Sequence, residues 1–303
     1  DLMNEKKSLN KLFECSDSFT SVVFNSGAGS GKTYALIQCL KYIIGIHHDD
    51  LKNHNQKIGC ITYTNVAAEH IKHQLGVSDV VEISTIHERI WSIICSQKSA
   101  LLGLHIEKLN SEVELLNSQL LSNSEYEKYR ALDASAQERF FQLMLENKKK
   151  YNMAYNLKAT EFKAAMPEEI RLQYAELISN VSKFKGLVDK LFKRKRYLDC
   201  LCKIESGEKD YRVVNYDAMY NRDRLDKMRI SHDTLLEYGY ELIERYPRMR
   251  QLIIDKYPYI LIDEYQDTAD IVVKIMSLIE QYAKQIKHDV FIAYFGDSVQ
   301  NIR

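Results

Sequence analysis

Proline is nearly absent from this sequence. Three prolines and 11 glycines in 303 residues leave few obligatory breaks, so a chain rich in Lys, Glu, Leu and Tyr favours long helices. Net charge is missing as well. The 42 Lys and Arg balance 42 Asp and Glu, so no global field demands a polyanion, and any nucleic-acid surface must be a local patch. Long apolar runs are also lacking: no stretch approaches the roughly 20 residues that span a bilayer. The opening "DLMNEKKSLN" has no apolar core of a secretory leader and no initiator Met, which predicts a cytoplasmic protein without a membrane partner, read here as an excised piece. Six cysteines, at 15, 39, 60, 95, 200 and 202, follow no disulfide or metal spacing and read as reduced structural thiols. What remains is an ordinary globular composition, 45% hydrophobic and 28% charged, long enough for two structural units.

Against that background "SGAGSGKT", residues 26–33, stands out because it offers almost no side chain to pack. Glycines at 27, 29 and 31 let successive backbone N–H groups converge on one concavity. Lys32 adds a point charge, and the Thr33 hydroxyl suits a magnesium ion. The helix expected from about Tyr34 to Tyr42 turns its positive end to the same place. The pattern G-x-x-x-x-G-K-S/T is met except that Ser26 replaces the first glycine. The candidate nucleotide-binding residues are Gly27, Ala28, Gly29, Ser30, Gly31, Lys32, Thr33 and Tyr34.

Apolar strand-like runs at 21–24, 57–64 and 80–85 alternate with helical stretches, including "NVAAEHIKHQL" at 65–75, as in a parallel sheet covered on both faces. From about 96 to 228 helix takes over. Ile106, Leu109, Val113, Leu116 and Leu120 form a short a/d seam suited to an intramolecular hairpin. Pro167 with Glu168 and Glu169 predicts a helix start, and apolar positions recur from Ile170 to Leu191. Eight basic residues crowd 183–203. Sheet-type sequence then returns in "YPYILIDEYQDT" (257–268) and "DVFIAYFGD" (289–297). The expected domains are therefore 1–95 with 229–303, an α/β core, and 96–228, a helical insertion.

In "YILIDEYQDT" a buried strand ends in two acids. In open α/β sheets chemistry collects at the carboxyl ends of strands, so Asp263 is placed to hold a nucleotide's Mg²⁺. Glu264, on the other side of the backbone, is placed to take a proton from an attacking water. This pairing favours hydrolysis over phosphoryl transfer to a metabolite, and no N-K-x-D segment reads guanine.

Taken with the phosphate loop, "TYTNVAAEHIKHQL", "STIH" and "GDSVQNI", the segment "DEYQDT" resembles the UvrD/Rep family of superfamily 1 DNA helicases, over about 1–95 and 230–303. The resemblance implies a RecA-like P-loop sheet flanked by helices, with a helical accessory subdomain inserted, and an ATP-dependent DNA helicase or translocase using ATP and Mg²⁺. It makes Gly27 to Thr33 motif I. It puts Tyr63, Thr64, Asn65, Thr85 and His87 on single-stranded or junction DNA. It assigns Asp263 and Thr33 to the metal, and Lys32, Glu264 and Gln300 to catalysis, Gln300 sensing the γ-phosphate. Phe13 stands where an adenine-reading Gln is expected, Val66 where Lys is usual, "HER" (87–89) where "HSF" is usual, and Arg303 where Tyr is common. The second motor domain, with motifs IV to VI and their arginine fingers, is expected as a partner missing from this chain. The alternative expectation is a nucleotide-dependent switch or binding module, with protein partners in a DNA repair or phage-defence complex and no unwinding activity.

Overall fold

The computed structural model describes residues 2–25, 31–265 and 270–296. The chain forms two compact units, one from residues up to 101 with 216–223 and 230 onward, the other from 102–215 with 224–229.

The first unit opens with helix α1 (Leu2–Asp17), strand β1 (Val22–Asn25), helix α2 (Lys32–Asn53), strand β2 (Ile58–Thr62), helix α3 (Asn65–Leu75), strand β3 (Val81–Thr85) and helix α4 (Ile86–Ile94). A long helix, α5 (Lys98–Ser122), then α6 (Ala134–Glu146) and α7 (Val181–Glu205) carry the helical region. Sheet structure resumes after α8 (His232–Arg245) and α9 (Pro247–Lys256), with β4 (Tyr259–Ile262), α10 (Asp270–Ile286) and β5 (Phe291–Gly296).

The five strands form one parallel sheet in the order β1-β5-β4-β2-β3. Residues 259–262 thus share a sheet with 22–25, as the RecA-like α/β reading requires. Burial follows composition. Every residue of β2 (IGCIT) and β4 (YILI) is buried, as expected for interior parallel strands covered on both faces. Strand β1 alternates half-buried with exposed positions and lies at an edge. Leu36, Leu40 and Ile43 of α2 join Ile58, Leu261 and Phe295 in one buried cluster; fully burying each such side chain is worth about 1.5–3 kcal/mol.

Helix starts are set by local chemistry. Thr64 accepts from the Ala67 N–H at 3.2 Å and starts α3. Thr85 and Glu88 form a reciprocal capping box that starts α4, and Ser231 caps α8.

In the second unit Phe140, Tyr151, Phe162 and Phe184 are fully buried and meet edge-on, a geometry their ring quadrupoles favour. The single helix suggested by apolar spacing from 168 to 191 is three: Glu168–Gln173, Ala175–Ile178 and α7. Tyr174 leaves helical geometry (φ −119°, ψ 33°), and Asn180 caps α7 by accepting from the Lys183 N–H at 3.1 Å. The apolar period persists across the breaks because all three pieces pack on one core.

Candidate nucleotide-binding site

Lys32 is the first residue of α2, and its cap, Gly31, holds φ 84°. That left-handed conformation is one only glycine adopts freely, so the G-K junction has a backbone reason. No side chain caps α2 among the described residues, and the first-turn N–H groups of a helix favour an anion. Thr33 is half-buried beside Lys32, and Tyr34 is exposed. Gly27, Ala28, Gly29 and Ser30 lie outside the described residues, as do Gln300 and Arg303.

The acids arrive from β4, separated from β1 by one strand. The Asp263 N–H still donates to Ile61 O at 2.8 Å, continuing the ladder. The chain then turns sharply: Glu264 takes φ 50°, a conformation that costs a side-chain-bearing residue about 1–2 kcal/mol. The turn separates the two acids. Asp263 is buried at 4% exposure, whereas Glu264 Oε2 accepts from Lys32 Nζ at 3.2 Å. The Glu264 N–H donates to Asp263 Oδ1 at 3.0 Å. Burial first, and the Glu264 charge second, push the Asp263 carboxyl up to about 6. The site thus joins an ammonium, a strained surface-facing carboxylate and a buried carboxyl for which a cation would be a favourable neighbour.

Tyr265 was not singled out by sequence reasoning, although it lies inside "DEYQDT". Its hydroxyl donates to Asn25 Oδ1 at 3.0 Å, tying the turn after β4 to the end of β1. Phe13, at the position expected to read adenine, stacks on Tyr42 with ring centroids 4.2 Å apart and 6° between planes. The Tyr42 hydroxyl donates to Asp17 at 2.7 Å, so Phe13 serves the α1–α2 contact.

The candidate DNA residues sit at the carboxyl ends of β2 and β3, which are adjacent with Thr62 opposite Thr85. Tyr63 (47% exposed), Thr64 and Asn65 are open to solvent. Thr85 is buried and its hydroxyl holds the capping box. His87 is half-buried, its ring 4.5 Å from that of His232. Burial first, and His232 second, hold His87 below its ordinary value, so it is neutral at physiological pH. His232 in turn meets the Tyr216 hydroxyl at 2.9 Å. This ring array joins two segments far apart in sequence, and neither periodicity nor motif signals it.

The basic run of α7 is largely spoken for within its own unit. Lys185 donates to Tyr155 O at 2.6 Å, Lys193 to Glu112 at 3.0 Å, and Lys203 to the Tyr211 hydroxyl at 3.3 Å. Lys195 pairs with Asp199, and Arg196 lies 3.8 Å from Asp226. Three of the eight basic residues, Lys193, Lys195 and Arg196, thus face carboxylates within the unit.

Over residues 9–302 the sequence matches the UvrD/REP helicase N-terminal domain. It is 46% identical over 298 residues to the Gabija protein GajB of Bacillus cereus (strain HuB5-5), an alignment covering 98% of this chain and 43% of that protein. It is 28% identical over 265 residues to the ATP-dependent DNA helicase Rep of Buchnera aphidicola subsp. Baizongia pistaciae (strain Bp), covering 84% of this chain and 31% of that protein. The chain spans less than half the length of these curated relatives.

Proposed function

The chain belongs to the UvrD/REP helicase family, and from that membership we propose that it is the ATP-binding first motor domain of an ATP-dependent DNA helicase or translocase. The observation that carries this reading is the Lys32–Glu264 contact at 3.2 Å beside buried Asp263. Residues more than two hundred positions apart converge at strand ends where phosphate and water would meet. Lys32 and the first turn of α2 bind the nucleotide's phosphates, with Gly27 to Gly31 completing the cradle. Glu264 accepts a proton from the attacking water. Gln300 senses the γ-phosphate.

The residues also fit Mg²⁺. The Thr33 hydroxyl and the Asp263 carboxylate are hard oxygen donors, and no cluster of three or more His, Cys, Asp and Glu builds a protein-only cage among the described residues. Mg²⁺ is ordinarily held by one or two carboxylates together with substrate phosphates. When bound, it neutralises charge developing on the phosphates. Full turnover needs a second motor domain, and an absent arginine finger typically lowers the rate about 10³–10⁵-fold. Single-stranded or junction DNA runs over the exposed Tyr63, Thr64 and Asn65, beside half-buried His87.

Lys32→Ala is expected to abolish binding of a fluorescent ATP analogue, while Glu264→Gln leaves binding within a few-fold and removes hydrolysis; equal loss of binding in both would refute the assigned roles. A second reading, a nucleotide-dependent module of a repair or defence complex that does not unwind DNA, is favoured by the higher identity to the Gabija protein than to the Rep helicase. Strand displacement by the full-length protein separates the two. ATP hydrolysis without displacement on any forked or tailed duplex would favour the second.

A further inference from the structure

At the amino ends of β2 and β4, the opposite end of these strands from Lys32 and Glu264, a cleft of about 770 Å³ opens, lined by α4 and α9. One wall is a charge network built around a buried arginine. Arg89, 9% exposed, donates to Glu82 and, at 2.6 Å, to the Tyr257 hydroxyl. Tyr257 donates to Glu82 at 2.5 Å, and Lys256 Nζ lies 3.2 Å from the other Glu82 oxygen. Two cations therefore share one carboxylate. The Arg89 Nε–H is buried without a hydrogen-bond partner among the described residues, an arrangement that carries a desolvation cost. The other wall is aliphatic, formed by Ile93, Met249 and Leu252, and Leu252 is 51% exposed. Arg89 belongs to the "HER" segment, whose departure from the resembled motif the nucleotide site does not explain.

We propose that this cleft docks a segment of a partner protein that presents a carboxylate beside an aliphatic side chain. Arg89 and Lys256 take the carboxylate; Met249 and Leu252 take the aliphatic group. Charge complementarity selects the acid, because the network carries one positive charge more than Glu82 answers. The volume falls within the roughly 300–1,000 Å³ of ligand pockets and suits several residues of a chain better than one side chain. Asp255 and Lys57 add both signs of charge to the lining. Backbone N–H and C=O groups can meet both signs, and a lipid tail cannot. The inference is independent of the nucleotide reading.

A phage-displayed library of random peptides tests it, selected on the full-length protein and counter-selected on the Leu252→Asp/Lys256→Met double variant. Both replaced side chains are substantially exposed, so the variant should unfold at an unchanged temperature and serve as a folded control. Enriched peptides are expected to carry Asp or Glu close to Leu, Ile or Met. A dye-labelled representative should bind wild type at least about tenfold tighter than the double variant, and its Asn or Gln version should lose about tenfold. No enriched peptide, enrichment without a carboxylate, or equal binding to both proteins overturns the proposal. Displacement by sodium decanoate in preference to the acidic peptide also overturns it, in favour of a lipid carboxylate.

Discussion

At Asp263, burial and a neighbouring carboxylate both act against ionisation, so a folded pKa near 6 stands against an ordinary 3.8. The folded state holds this proton more tightly than the unfolded chain. Ionisation therefore removes stability as pH rises through that window, and the loss is complete above about pH 6, at roughly 3 kcal/mol. Replacing the acid with its neutral isostere relieves this cost. In metal-free buffer Asp263→Asn should raise the midpoint of denaturant unfolding at pH 8, with the gain shrinking through pH 6 and gone near pH 4. The same variant should bind Mg–nucleotide more weakly. A gain that persists unchanged at pH 4 would show that burial of charge is not its cause. The convergence of Lys32, Asp263 and Glu264 was legible in the sequence because a motif fixes residue type and spacing together. Arg89 was not: a charged residue in the first turn of a helix ordinarily reads as solvated surface, and only the fold reveals Glu82 and Tyr257 beside it.

Among the elements, α4 and α8 approach so closely that Gly239 has no room for a methyl group. A Cβ there would lie 2.5 Å from Ile90 Cγ2. Alanine favours a helix interior over glycine by about 1 kcal/mol, whereas overpacking costs about 1–3 kcal/mol. The steric effect wins, so Gly239→Ala should destabilise the first unit by up to about 2 kcal/mol in urea unfolding. A stabilised variant would mean that α8 stands farther from α4. Such contacts explain why elements were easier to anticipate than their neighbours. The run 65–75 was legible as a helix and 259–262 as a buried strand, because apolar period and composition are local properties. The strand order was not, since nothing in a strand's own residues says that β5 rather than β2 lies between β1 and β4. The breaks at Tyr174 and Asn180 were hidden for a related reason: the apolar spacing of 170–191 reports which face meets the core and is indifferent to whether the backbone between stays helical.

For the molecule as a whole, zero net charge and the pairing of Lys193, Lys195 and Arg196 with carboxylates in their own unit limit the free cationic surface. Binding to an oligonucleotide should be weak and indifferent to sequence. Tyr63→Ala should weaken it by about 1–3 kcal/mol, the worth of one stacked base, without altering its dependence on salt. Replacing Lys193 and Lys195 by Met should leave the salt slope unchanged. Each phosphate neutralised on a single strand contributes about −0.7 to that slope, and these ammonium groups are already answered by carboxylates. Fluorescence anisotropy at three salt concentrations reads both effects; a flatter slope in the Lys193/Lys195 variant would show that DNA displaces the internal partners.

The sheet register carries a consequence for how the protein is made. Val22 pairs with Ala293, and Ile58 with Tyr259, so β1 emerges from the ribosome with its partner still untranslated. Until β4 and β5 arrive, only β2 and β3 can pair, and β1 remains an orphan strand with an open edge. The helical unit, by contrast, has all its residues by position 229 and is rich in local contacts, which close quickly. During synthesis the domain encoded in the middle can therefore be finished while the one encoded at both ends still waits, exposed to chaperones and to stray strand pairing.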